Sequence, residues 1–72
     1  MTLHYGDKGE LVLSVQRRLH ALGYYIPKFT GVMDNATVVS LINYQRSSGI
    51  FPNNGQVTDE TLKSLKLKED SE

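Results

Sequence analysis

Thr30-Gly31-Val32-Met33-Asp34-Asn35-Ala36-Thr37-Val38-Val39-Ser40-Leu41 returns 24 residues later as Asn54-Gly55-Gln56-Val57-Thr58-Asp59-Glu60-Thr61-Leu62-Lys63-Ser64-Leu65. In each copy a glycine turn is followed two residues on by an apolar residue, then a helix-capping side chain, then Thr in the first turn, then an apolar pair three apart. The shared unit is a loop that feeds a helix start. A second echo has an offset of 29 and joins Val12, Val15 and Gln16 to Leu41, Tyr44 and Gln45. Two helices with matching faces, each apolar with one Gln, predict a pseudo-symmetric pair closed by a short third helix.

Upstream of the repeat, Val12, Val15, Leu19 and Leu22 recur at steps of three and four, with Leu11 on the neighbouring flank, which predicts a helix over about Lys8 to Leu22. Asp7 and Glu10 have capping-box spacing, and Gly23 suits the residue that closes a helix. Leu13 and Arg17 fall off the apolar stripe, and Gln16 sits at its edge. Tyr24 to Gly31 contains Pro27 and ends on Gly, so it reads as an extended connector. The second helix starts at Asp34 or Asn35 and stops near Ser48 before Gly49; the third starts at Thr58, with Leu62 and Leu65 as its buried face. The fold class expected is all-α, with two longer packed helices and a short third one. Residues 1–65 form the domain, and the charged residues 66–72 a flexible tail.

The chain has 72 residues, no cysteine, and eight basic against eight acidic side chains. At this size the core is small, and nothing in the composition supplies a disulfide to support it. The charge is +2 through Ile50 (five basic, three acidic) and −2 from Phe51 onward (three basic, five acidic). Such a balance argues against nucleic acid as a partner. No apolar run approaches the roughly 20 residues of a membrane span, and the start lacks the layout of a signal peptide. His4 and His20 lie in no ligand or triad pattern, so neither a metal, a cofactor nor a nucleophilic site is expected. The acids Asp7, Glu10, Asp34, Asp59 and Glu60 all fall at helix starts, where the helix dipole accounts for them without catalysis.

The order and spacing of these fragments resemble the bacterial peptidoglycan-binding domain of the small three-helix type, found beside cell-wall hydrolases and in phage endolysins. The resemblance runs from Tyr5 to Leu65. It rests on Gly6 and Gly9, Val12, Val15-Gln16-Arg17-Arg18-Leu19 where the family reads Leu-Gln-x-x-Leu, and Leu22-Gly23-Tyr24-Tyr25. It continues through Gly31-Val32-Met33, Ala36-Thr37, Leu41, Tyr44-Gln45-Arg46 where the family has Phe-Gln, Gly49-Ile50, Asn54-Gly55-Gln56-Val57 and Thr61 to Leu65. The chain departs from the family pattern at Thr30 and Asn54, where Asp is usual, at Asp34 and Thr58, where Gly is usual, and at Met33, where Phe is usual. All the polar replacements keep turn or capping chemistry.

The resemblance implies non-catalytic binding of cell-wall peptidoglycan, which would bring an associated hydrolase or a phage or envelope protein to the wall. A monomer acting at the cell envelope is expected, with glycan strand or stem peptide as ligand. The alternative is a protein-docking module of the same fold in an envelope or phage assembly, since the fold also serves where no wall polymer is bound.

Gln16 and Gln45 are expected to bond loop backbone, and Thr37 and Thr61 to tie each loop to its helix. Tyr24 is the core aromatic. Tyr25 and Phe29 flank Pro27 and are the stacking candidates, with Phe51 in the second loop. The expected site is a shallow groove walled by the connector Tyr25–Gly31 and the loop Ile50–Gly55. Gly31 lies in its turn, Asn35, Arg46 and Asn54 are its polar contacts, and Arg46 is suited to a stem-peptide carboxylate.

Overall fold

The computed structural model describes residues 2–51 and 53–67. Within them the chain forms three helices, α1 (Glu10–Ala21), α2 (Asn35–Ser48) and α3 (Asp59–Ser64), and no strands beyond two isolated antiparallel bridges. The all-α architecture expected from the sequence is the one observed. No helix among the described residues is long and apolar enough to cross a membrane.

The helices end alike. At α1 the Gly23 and Tyr24 amides donate to the His20 and Leu19 carbonyls; at α2 Gly49 and Ile50 donate to Arg46 and Gln45; at α3 Lys66 and Leu67 donate to Lys63 and Leu62. Each is a Schellman closure, in which one left-handed residue satisfies the last carbonyls and the next residue, apolar, folds back onto the core. Gly23 and Gly49 take the left-handed place at no steric cost, whereas α3 uses Lys66 at φ 63°. Leu67 thereby packs against the core, within the stretch read as tail. Residues 68–72 of that tail lie outside the described residues.

The starts differ. Asp34 caps α2 by accepting the Thr37 amide, and Thr58 caps α3 by accepting the Thr61 amide. The capping box read at Asp7 is absent. Gly9 occupies the cap of α1 with no side-chain bond, while the Asp7 carboxylate accepts the His4 amide. The reason is a backbone commitment: the Asp7 carbonyl accepts the Met33 amide and the Gly9 amide donates to the Gly31 carbonyl, so the helix begins only after that bridge. At the other end Leu22 is exposed, since α1 has already closed and the apolar stripe stops at Leu19.

The core consists of Val12, Val15 and Leu19 of α1, Leu41 and Tyr44 of α2, and Leu62 and Leu65 beside α3, sealed by Leu3, Ile26, Met33, Ile50 and Val57 from the connections. Gln16 and Gln45 sit within it at zero exposure. Each Gln places its amide where a loop backbone would otherwise be unpaired. Gln16 Oε1 accepts the Gly31 amide at 2.9 Å, and its Nε2 donates to the Val32 carbonyl, Thr30 Oγ1 and Thr37 Oγ1. Gln45 Oε1 accepts the Gly55 amide at 3.0 Å, and its Nε2 donates to the Gln56 carbonyl and Thr61 Oγ1. The echo at offset 29 and the repeat at offset 24 are thus one device used twice. A carboxamide on a helix holds the glycine turn that launches the next helix. The two glycines also meet equivalent neighbours, Gly31 against Leu13 and the Gly9 carbonyl, Gly55 against Ile42 and the Val38 carbonyl.

Candidate functional site

The two copies differ in what lies between Gln and glycine. Gln16 reaches a glycine 15 residues on, Gln45 one only 10 residues on. The five extra residues lengthen the end of α1 and the connector after it, and that connector carries Tyr25, Pro27 and Phe29. Its position is fixed at three neighbouring residues. The Tyr24 ring meets Tyr44 edge-on, with centroids 5.7 Å apart, the Ser40 hydroxyl donates to the Tyr25 carbonyl, and Ile26 is buried in the core. With its backbone held and both neighbours packed, Tyr25 still leaves 74% of its surface in solvent. The fold thus presents a large aromatic ring to solvent from a fixed point of the backbone.

Concavities lie on both sides of this Tyr. One, of about 310 Å³, lies between Tyr24 and Tyr25 and the part of α2 formed by Asn35, Ala36, Val39, Ser40 and Asn43. The other, of about 450 Å³, is bounded by His20, Gly23, Tyr24, Tyr25 and Ile26. Of the residues read from the sequence, Tyr25 and Asn35 therefore share one concavity. Phe29 lies edge-on against His20, with centroids 5.4 Å apart, and is half exposed. Arg46 is exposed on α2, and as it is eleven residues, or about three turns, beyond Asn35, it falls on the same side of the helix.

The remaining residues are placed elsewhere. Gly31 is buried and its backbone groups are taken, the amide by Gln16 and the carbonyl by the Gly9 amide, so it serves the fold. Asn54 Oδ1 accepts the Gln56 amide, just as Thr30 Oγ1 accepts that of Val32, so the Asn closes its own turn. Phe51 is exposed, but neither it nor Asn54 borders the Tyr25 concavities. The reason is topological. Gly55 packs on Val38 and Ile42, roughly half a turn around α2 from Ala36 and Ser40. The two loops thus flank α2 on different sides, and the wall facing the connector is α2 itself. Val39, Ser40 and Asn43 complete the α2 side of the first concavity, and of these Asn43 alone carries a signal in the sequence, at i+8 from Asn35 on the exposed side of α2.

Among the described residues, Asp34 has the most clearly perturbed carboxyl. Burial would raise its carboxyl, but the Thr37 hydroxyl and amide and the Thr30 hydroxyl together outweigh that and hold it below its ordinary value of 3.8. It is an N-cap with three donors, which is a structural duty. Its oxygens are engaged by Thr37 at 2.7 and 3.0 Å and by Thr30 at 3.1 Å. Among the described residues no three His, Cys, Asp or Glu side chains gather as a metal-binding group.

Comparison with known proteins places the fold. The family model described as "Putative peptidoglycan binding domain" matches residues 8–65. Among solved structures, the SleB N-terminal domain is 32% identical, with 92% of this chain and 89% of that one covered and a TM-score of 0.86. The Burkholderia AP3 phage endolysin is 27% identical with a TM-score of 0.83; the match covers 97% of this chain but 27% of the endolysin. A peptidoglycan-binding protein from Clostridioides difficile, at 20% identity, shares the fold, with a TM-score of 0.84 and coverage of 94% of this chain and 46% of that one. No curated protein matches the chain. A family match over most of the sequence, joined to a relative aligned over nearly its whole length, establishes that the chain belongs to the peptidoglycan-binding domain family.

Proposed function

We propose that this domain binds bacterial cell-wall peptidoglycan non-covalently, performs no catalysis itself, and holds an associated hydrolase or phage or envelope protein at the wall. The observation that carries this reading is the Tyr25 edge: an exposed aromatic on a backbone held by Tyr24, Ser40 and Ile26, bordering two concavities. Tyr25 stacks on the ligand, Asn35 supplies a donor and an acceptor beside it, and Phe29 extends the apolar surface. Family membership and likeness to the SleB domain and to an endolysin support the wall as the target.

A shallow site with so few desolvated anchors gives weak intrinsic affinity. Tethering compensates, because a domain linked to a hydrolase, or repeated, raises the effective concentration at a polymeric surface. Sedimentation with purified sacculi, with a non-binding protein of similar size as control, tests the proposal. Co-sedimentation that soluble muropeptide competes away is the expected result; a folded domain that stays in the supernatant with every sacculus preparation would refute it.

A further inference from the structure

The outer face of α2 carries residues that the fold does not use. Asn35, Val39 and Asn43 follow one another at intervals of four, and Arg46 lies one turn beyond Asn43 on the same side. All four are exposed, Val39 at 56%. The side chains of Asn35, Asn43 and Arg46 have no hydrogen bond or ion pair with any described residue. Val39, β-branched, and Asn43 are also poor choices for exposed positions inside a helix, where Ala, Glu or Lys costs less. Local choices that work against the helix without a structural return are characteristic of binding surfaces.

Resting on the wall-binding reading above, we propose that this face reads the peptide part of the wall polymer: a short extended chain of secondary amides ending in a free carboxylate. A carboxamide offers one acceptor and two donors and so can meet the C=O and N–H of a peptide unit together. Asn35 and Asn43 stand about 12 Å apart along the axis and Arg46 about 16 Å from Asn35. An extended peptide advances roughly 3.3–3.6 Å per residue, so four to five residues cover that distance. Val39 faces a small apolar side chain between the two amides, with Tyr25 as the wall beside it. The guanidinium at the far end takes the terminal carboxylate, which a glycan strand lacks at that spacing.

The test is an NMR titration of the labelled chain with three probes: a wall stem tetrapeptide with a free C-terminus, the same peptide C-terminally amidated, and a tetramer of N-acetylglucosamine. The free peptide is expected to shift the Asn35 and Asn43 side-chain amides and the Arg46 guanidinium. Amidation, Arg46→Gln and Asn43→Ala should each weaken it about fivefold, the scale of one lost hydrogen bond, with the melting temperature of neither variant lowered. Shifts with the sugar and none with the peptide at millimolar concentration, or full peptide affinity in Arg46→Gln, would overturn the assignment. Sacculus binding separates the two readings: a chain that pellets with sacculi but gives no peptide shift keeps wall binding and loses this role for α2. A chain that fails to pellet loses wall binding, and the peptide titration still decides for α2 independently.

Discussion

Replacing Gln45 by Met removes the carboxamide while leaving a side chain of similar length, so little cavity is created. The Gly55 amide loses its acceptor at 3.0 Å and the Gln56 carbonyl loses its donor at 2.8 Å, while the Thr61 hydroxyl can turn to another partner such as Thr58 Oγ1. Two backbone groups left unpaired at about 1–3 kcal/mol each, less roughly 1–2 kcal/mol from burying an apolar side chain in place of an amide, predict a net loss of about 2.5 kcal/mol from the middle of those ranges. For a domain this small the melting temperature falls by about 4–8 °C per kcal/mol, hence by roughly 10–20 °C. Urea and thermal unfolding followed by circular dichroism measure both quantities. Gln16→Met removes the same pair of backbone partners plus the Thr30 contact, and should cost at least as much. Variants within about 0.5 kcal/mol of the parent, the range of ordinary surface changes, would refute the idea that the glutamines pin the loops.

Four further outcomes follow from the same geometry. Gly55→Ala puts a Cβ 2.6 Å from Val38 Cγ1 at φ +81°, whereas Gly49→Ala at φ +72° meets open space; denaturant titration should show the first losing about 1–3 kcal/mol more, the scale of overpacking. Lys66→Gly relieves the left-handed position that closes α3, where a side chain costs roughly 1–2 kcal/mol, and should raise the melting point despite the greater entropy of the unfolded chain. Because Asp34 has its carboxyl lowered in the folded state, its stabilising contribution is complete above its ordinary value of 3.8 and is lost as pH falls through the lower folded value. Stability against pH should therefore fall less steeply on acidification in Asp34→Asn, which keeps a capping side chain. Tyr25→Ala should leave the unfolding curve almost unchanged, since most of that ring is in water, while weakening sacculus binding about tenfold in a pelleting titration.

What the sequence disclosed was the part governed by short-range chemistry. Asp34 and Thr58 announce helix starts because a capping side chain acts on an amide three residues away. The need of buried loop amides for partners points Gln16 and Gln45, with the first-turn Thr37 and Thr61, to structural roles, and the hydrogen bonds agree. Asp7 misled because its spacing to Glu10 is a local signal, whereas its backbone is claimed by Met33, 26 residues away. Leu67 reads as tail in the sequence because its neighbours are charged; the closure of α3 on Lys66 brings it back to the core.

For the site, Tyr25 was legible as an aromatic beside a proline in an irregular segment, and Asn35 as a polar residue at a helix start. Their partnership with Val39, Ser40 and Asn43 depends on which side of α2 the connector crosses. That side is set by the Tyr24–Tyr44 contact and by the Ser40 bond to the Tyr25 carbonyl, neither of which leaves a periodic mark in the sequence. The same topology separates Phe51 and Asn54 from the connector.

The measurement that bears most directly on the central claim is paired sacculus sedimentation of the parent chain and Tyr25→Ala, with the folded state of each confirmed by its unfolding curve. The account predicts that the parent pellets, that muropeptide releases it, and that the variant remains largely in the supernatant while equally folded. Equal pelleting of the two would contradict the Tyr25 edge as the binding surface, and a folded parent that never pellets would contradict wall binding itself.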